Sequence, residues 1–125
     1  MPKVLLIEDE ESLRKLYTKI LNAKNYTVEA AADGEDALSV LKIFRPDVIV
    51  LDIVMPHYNG VEFLKILKND SEFKSIPVVM LTALSEMRKI TECLDMGAVG
   101  YITKDSTVEE IVQRLNFLIE SISVH

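Results

Sequence analysis

Apolar positions along the chain fall into two alternating kinds of run. The first kind is short and continuous: Lys3-Val4-Leu5-Leu6-Ile7, and a stretch from Val48 to Pro56 interrupted by one carboxylate, Asp52. Runs this short and rich in Val and Ile read as strands buried on both faces, as in a parallel sheet covered by helices. Tyr26 to Ala31, Pro77 to Leu81 ending on Thr82, and Val99 to Thr103 add three more. The second kind repeats at helical spacing. Leu13, Leu16, Tyr17, Ile20 and Leu21 share one face of a helix that ends between Asn22 and Asn25. Asp33 is placed to cap a helix striped by Ala37, Leu38, Leu41 and Phe44, which Arg45-Pro46 stops. Val61, Leu64 and Leu67 mark a third helix running to about Asn69, and Met87, Ile90 and Leu94 a fourth that Gly97 closes. Thr107 and Glu110 spell a capping box ahead of Val108, Ile111, Val112, Leu115, Leu118, Ile119 and Ile122.

Strand then helix, five times over, predicts an α/β fold in one domain over residues 1–125, with a five-stranded parallel sheet and right-handed crossovers. The C-terminal ends of all strands in such a sheet share one edge. Glu8 and Asp9, Asp52, Thr82 and Lys104 therefore converge where open α/β sheets place their ligands.

Composition narrows the function classes. Twenty acidic residues against 14 basic ones give a net charge of −6. That balance disfavours direct nucleic-acid binding and attachment to an anionic membrane, and favours a metal ion or a basic partner. Cys93 is the single cysteine, so no internal disulfide forms; no apolar run reaches the roughly 20 residues of a membrane span and no secretory layout opens the chain. A cytoplasmic protein is expected.

Three carboxylates within a few ångströms repel one another unless a cation neutralises them. Mg2+ takes oxygen ligands and is commonly held by one or two carboxylates together with phosphate oxygens, which Glu8, Asp9 and Asp52 suit. With its charge neutralised, Asp52 can act as nucleophile on a phosphoryl group and form an aspartyl phosphate. Lys104 by charge and Thr82 by its hydroxyl would stabilise the phosphoryl oxygens.

Ile7-Glu8-Asp9-Glu10, Leu51-Asp52-Ile53-Val54-Met55-Pro56 with Gly60, Leu81-Thr82-Ala83 and Tyr101-Ile102-Thr103-Lys104 resemble, in order and spacing, the receiver domains of two-component response regulators. The resemblance covers the whole chain. It implies a flavodoxin-like (βα)5 fold with strand order 2-1-3-4-5 and helices on both faces. It implies that a histidine kinase or histidine phosphotransfer protein donates a phosphoryl group to Asp52, and that catalysis is confined to the chain's own phosphorylation and dephosphorylation. It also implies that Asp9, Asp52 and the carbonyl of Val54 hold Mg2+ with Glu8 acting through water, and that Thr82 and Tyr101 form the switch. The fourth helix, fifth strand and fifth helix would then present the surface for a downstream effector, on a monomer or a phosphorylation-dependent dimer.

Two features depart from the family pattern. Asp105 follows Lys104 where receivers usually carry a proline in a cis bond; a cis bond here would cost about 2.5–4 kcal/mol, so either isomer stays open. His57-Tyr58-Asn59 replaces a more usual small or acidic loop, read as tolerated variation. Val54 and Leu84, at the positions flanking the phosphoryl group, are apolar, which implies slow self-dephosphorylation.

Two other functions compete. A small phosphatase or phosphotransferase could use Asp52 as nucleophile, but enzymes of the haloacid-dehalogenase type carry an acid two residues on, where Val54 stands here. A pseudo-receiver binding module would have no need of the intact Glu8, Asp9, Asp52, Thr82 and Lys104. Taken alone, Glu8 to Glu11 would be a solvated helix start, Asp52 a loop cap, Thr82 a helix cap and Tyr101 plain core or surface; Cys93, Met87 and Met96 read as packing, and His57 and His125 as loop residues.

Overall fold

The structure, a computed structural model, describes residues 2–55 and 59–123. Five strands, β1 (Lys3–Ile7), β2 (Thr27–Ala31), β3 (Val48–Asp52), β4 (Val78–Thr82) and β5 (Gly100–Thr103), form one sheet in the order β2-β1-β3-β4-β5, with every neighbouring pair parallel. Helices α1 (Glu11–Ala23), α2 (Gly34–Leu41), α3 (Gly60–Lys68), α4 (Met87–Asp95) and α5 (Val108–Ser123) connect and follow them, with a 3-10 turn at Leu84–Glu86 leading into α4. This is the (βα)5 fold expected from the alternating pattern.

Two cores lie on opposite faces of the sheet because successive strand residues point to opposite sides. Leu5, Ile7, Ile49, Leu51 and Met80 face Phe63, Leu64 and Leu67 of α3 together with residues of α2 and α4. Val4, Leu6, Val50, Val79 and Leu81 face Tyr17 and Leu21 of α1 and Ile111, Val112 and Leu115 of α5. Burial on both faces explains the continuous apolar composition of β1, β3 and β4.

Two caps follow the expectation, and Asn59, expected as loop, adds a third as the N-cap of α3. Asp33 accepts a hydrogen bond from the Asp36 N–H, Asn59 from Glu62, and Thr107 and Glu110 close the capping box reciprocally at 3.1 and 3.2 Å. Gly97, at φ 106°, ends α4.

Four boundaries and one stripe differ from expectation. β2, β4 and β5 each begin one residue later than the apolar run, because Tyr26, Pro77 and Val99 lie outside the strands. Helix α2 ends at Leu41 rather than at Arg45-Pro46: the amides of Lys42 and Ile43 bond three residues back, to Ser39 and Val40, and tighten the chain into a turn first. On α4 the buried partner of Ile90 is Cys93, fully enclosed, whereas Leu94 is 41% exposed. Met87 and Met96 pack against the core as expected. The peptide bonds of the described residues are all trans, Lys104-Asp105 included. The readings made on Pro56, His57, Tyr58, His125 and the side chain of Leu84 lie outside the described residues.

Candidate functional site

Sheet register brings the strand ends together. Ile7 pairs with Leu51 and Asp52 with Leu81, so Glu8 and Asp9 emerge from β1 beside the last residue of β3. Thr82 pairs with Thr103, and the Lys104 amide donates to the Thr82 carbonyl at 2.7 Å, which carries the lysine to the same edge.

Asp52 and Glu8 are almost wholly buried, at 2% and 0% exposure, while Asp9 is exposed. The Lys104 ammonium donates to Asp52 Oδ2 at 2.8 Å and lies 2.9 Å from Glu8 Oε1. The first contact is a charge-assisted hydrogen bond. The second is an ion pair by distance, but Glu8 Oε1 has no aligned donor and stays unsatisfied while buried. Asp52 Oδ1 accepts from the Val54 N–H at 3.1 Å, which fixes the carboxylate from its other side.

The charges shift one another. Burial, and then the hydrogen bond and charge of Asp52, push the Glu8 carboxyl up to about 8, with Lys104 pulling the other way. Burial works to lower the Lys104 ammonium, but its hydrogen bond to Asp52 and the neighbouring Glu8 carboxylate outweigh that and raise it, so it stays charged at neutral pH.

One oxygen from each of Glu8, Asp9 and Asp52 lies within 4.8 Å of the other two. An all-oxygen, carboxylate-rich donor set suits a hard divalent cation, and the unsatisfied Glu8 oxygen is a group such an ion, or a water bound to it, would complete. The residues present therefore fit a divalent cation.

Two of the expected residues stand further back. Thr82 is fully buried at the edge, but its hydroxyl donates to the Ala83 carbonyl at 2.9 Å rather than to the carboxylates. Tyr101 is partly buried against the core formed with α2, α3 and α4.

Two residues gain roles that spacing did not reveal. A Cβ on Gly60 would stand 2.3 Å from the Asp52 carbonyl oxygen and 2.6 Å from the Ile53 Cα, so only glycine lets the start of α3 lie against the strand end that carries Asp52. Arg14, on α1, donates to the backbone carbonyls of Glu8 and Asp9. No periodicity marks either residue.

The sequence pattern of the response regulator receiver domain matches residues 4–116. The chain belongs to this family. Among curated relatives, a probable transcriptional regulator, ycf27, of Porphyridium aerugineum is 36% identical over 96% of this receiver and 49% of its own length. The phosphate regulon transcriptional regulatory protein PhoB of Escherichia coli is 36% identical over 97% of the receiver and 53% of its own length. The receiver thus spans about half the length of these relatives. Among solved structures, the chemotaxis response regulator CheY4 of Vibrio cholerae superposes with a TM-score of 0.85 at 36% identity, covering 94% of this chain and 98% of that one. A receiver domain from Francisella does so with a TM-score of 0.83 at 30% identity, over 97% and 98%. A receiver has a signalling role in a two-component system rather than that of a conventional enzyme. Among the described residues, no helix is long and apolar enough to cross a membrane.

Proposed function

We propose that this receiver is a cytoplasmic phosphoacceptor switch in which Asp52 takes a phosphoryl group from a histidine of a kinase or phosphotransfer protein, with Mg2+ bound by Glu8, Asp9, Asp52 and the Val54 carbonyl. The observation that carries this reading is the Lys104 ammonium bonded at 2.8 Å to a buried carboxylate that ends the central strand β3, with two further acids alongside.

A bound Mg2+ would offset the negative charge of the carboxylates and of the incoming phosphoryl oxygens. The chain's own residues do the rest. One Asp52 oxygen attacks phosphorus, forming a P–O bond as the P–N bond to the donor imidazole breaks, and the imidazole leaves with the electron pair. Lys104, charged and already within hydrogen-bond reach, moves its bond from the carboxylate to a phosphoryl oxygen. Thr82 must give up its bond to the Ala83 carbonyl to reach the same group, which ties its rotation to phosphorylation. Replacing one neutral hydrogen bond by one to a charged acceptor favours that change by about 1 kcal/mol.

Rotation of Thr82 frees space beside β5 for the Tyr101 ring, and the face made by α4, β5 and α5 passes the change to an effector. Leu94, Val99 and Phe117, all exposed, lie on or next to those elements. The receiver works there as a monomer or as a phosphorylation-dependent dimer.

The test is intact mass after incubation with Mg2+ and a small-molecule phosphodonor. One added phosphoryl group is expected, absent from Asp52→Asn. No gain, or an equal gain in Asp52→Asn, refutes the reading.

A further inference from the structure

The Arg14 side chain ties down two consecutive carbonyls of the acidic loop. Its Nη1 donates to the Glu8 carbonyl at 2.9 Å and to the Asp9 carbonyl at 3.3 Å; the next carbonyl, of Glu10, accepts the first helical bond of α1 from the residue 14 backbone N–H at 2.9 Å, whatever side chain stands there. On the other side of the loop, the sheet secures it through the Glu8 N–H, which donates to Ala31 at 3.0 Å. The Glu8 and Asp9 carbonyls are therefore held from α1 by one partly buried arginine. Glu8 and Asp9 project from the backbone so fixed, and both contribute oxygens to the carboxylate cluster.

We propose that Arg14 is a positioning residue of the cation site, holding the Glu8–Asp9 backbone so that its carboxylates are presented together with Asp52. This rests on the reading of that cluster as a Mg2+ site. Groups that orient metal ligands without touching the metal commonly govern affinity, because each ligand left free to move must be ordered again on binding.

Charge alone makes the opposite prediction, which gives the proposal a sign to be tested. Arg14 is a cation near a site for a cation, so by Coulomb's law its neutralisation should tighten Mg2+ binding. As a brace, its loss should weaken that binding. Both side-chain bonds come from a single nitrogen, so a lysine ammonium has enough N–H groups to restore them in part.

Mg2+ affinity of the unphosphorylated protein is measured by calorimetric titration for the native chain, Arg14→Gln and Arg14→Lys, with thermal unfolding of each in EDTA. Arg14→Gln is expected to raise the Kd on the order of tenfold, with Arg14→Lys in between and the two variants alike in thermal midpoint. Unchanged or tighter binding by Arg14→Gln overturns the proposal. So does a loss that Arg14→Lys fails to relieve and that follows thermal stability, since that is the mark of a purely structural residue. If the native chain binds no Mg2+, the reading of the site itself falls; if native and Arg14→Gln bind alike, only the role of Arg14 does.

Discussion

Between its ordinary value of 4.5 and about 8, the Glu8 carboxyl keeps a proton in the folded chain that the unfolded chain has released, because burial raises it. The sign of the consequence is fixed by linkage. Where the native state binds more protons than the unfolded state, stability falls as pH rises, here by at most about 1.4 kcal/mol per pH unit. The loss is absent below 4.5, accrues across the window and is complete above 8. Lys104, raised from 10.5, contributes stability that is lost only at more alkaline pH and does not act in this window. In EDTA the thermal midpoint should therefore drop from pH 5 to pH 8, and Glu8→Gln should flatten that dependence. Saturating Mg2+ should restore much of the loss at pH 8, because the ion binds the ionised cluster of the native state. A native slope equal to that of Glu8→Gln would contradict the assignment of a raised Glu8.

Among the elements, the start of α3 decides how closely a helix can approach the reactive strand. Gly60→Ala would drive a Cβ into the backbone of Asp52 and Ile53, neither of which can turn aside as a side chain would. We expect a loss of about 1–3 kcal/mol in urea unfolding, together with weaker Mg2+ binding, because relief of the clash moves Asp52. Gly97→Ala is the control. Its Cβ would meet only the Lys68 side chain, at 3.7 Å, so its cost of about 1–2 kcal/mol comes from φ of 106° and Mg2+ binding should be unchanged. Equal effects of the two substitutions on Mg2+ would show that the α3 contact is irrelevant to the site.

What the sequence made legible follows from the same contrast between pattern and contact. Strand and helix periodicities locate all five βα units, and the rule that parallel strands end on one edge places Glu8, Asp9, Asp52, Thr82 and Lys104 at that edge. The end of α2 is not legible, because a tight turn at Lys42 and Ile43 leaves no composition signal as strong as a proline. Cys93 and Leu94 are both within one turn of Ile90, and only packing chooses between them. Gly60 and Arg14 act on backbone atoms, so no side-chain pattern announces their roles. The bond from Thr82 to Ala83 is equally local and equally silent.

For the molecule as a whole, the two cores clamp the sheet on both faces and leave the strand-end edge as the place where buried charge is tolerated. Glu8, Asp52 and Thr82 are the buried polar residues among those described, and all three lie at that edge. Buried carboxylates are gathered at this one edge, which concentrates the chemistry there. The most direct measurement locates the phosphoryl group itself. After reaction with a phosphodonor in Mg2+, borohydride reduction converts an aspartyl phosphate to homoserine, and peptide mass spectrometry reads its position. The account predicts homoserine at position 52, and its loss when EDTA replaces Mg2+; homoserine at another acid, or formation at position 52 undiminished in EDTA, would contradict it.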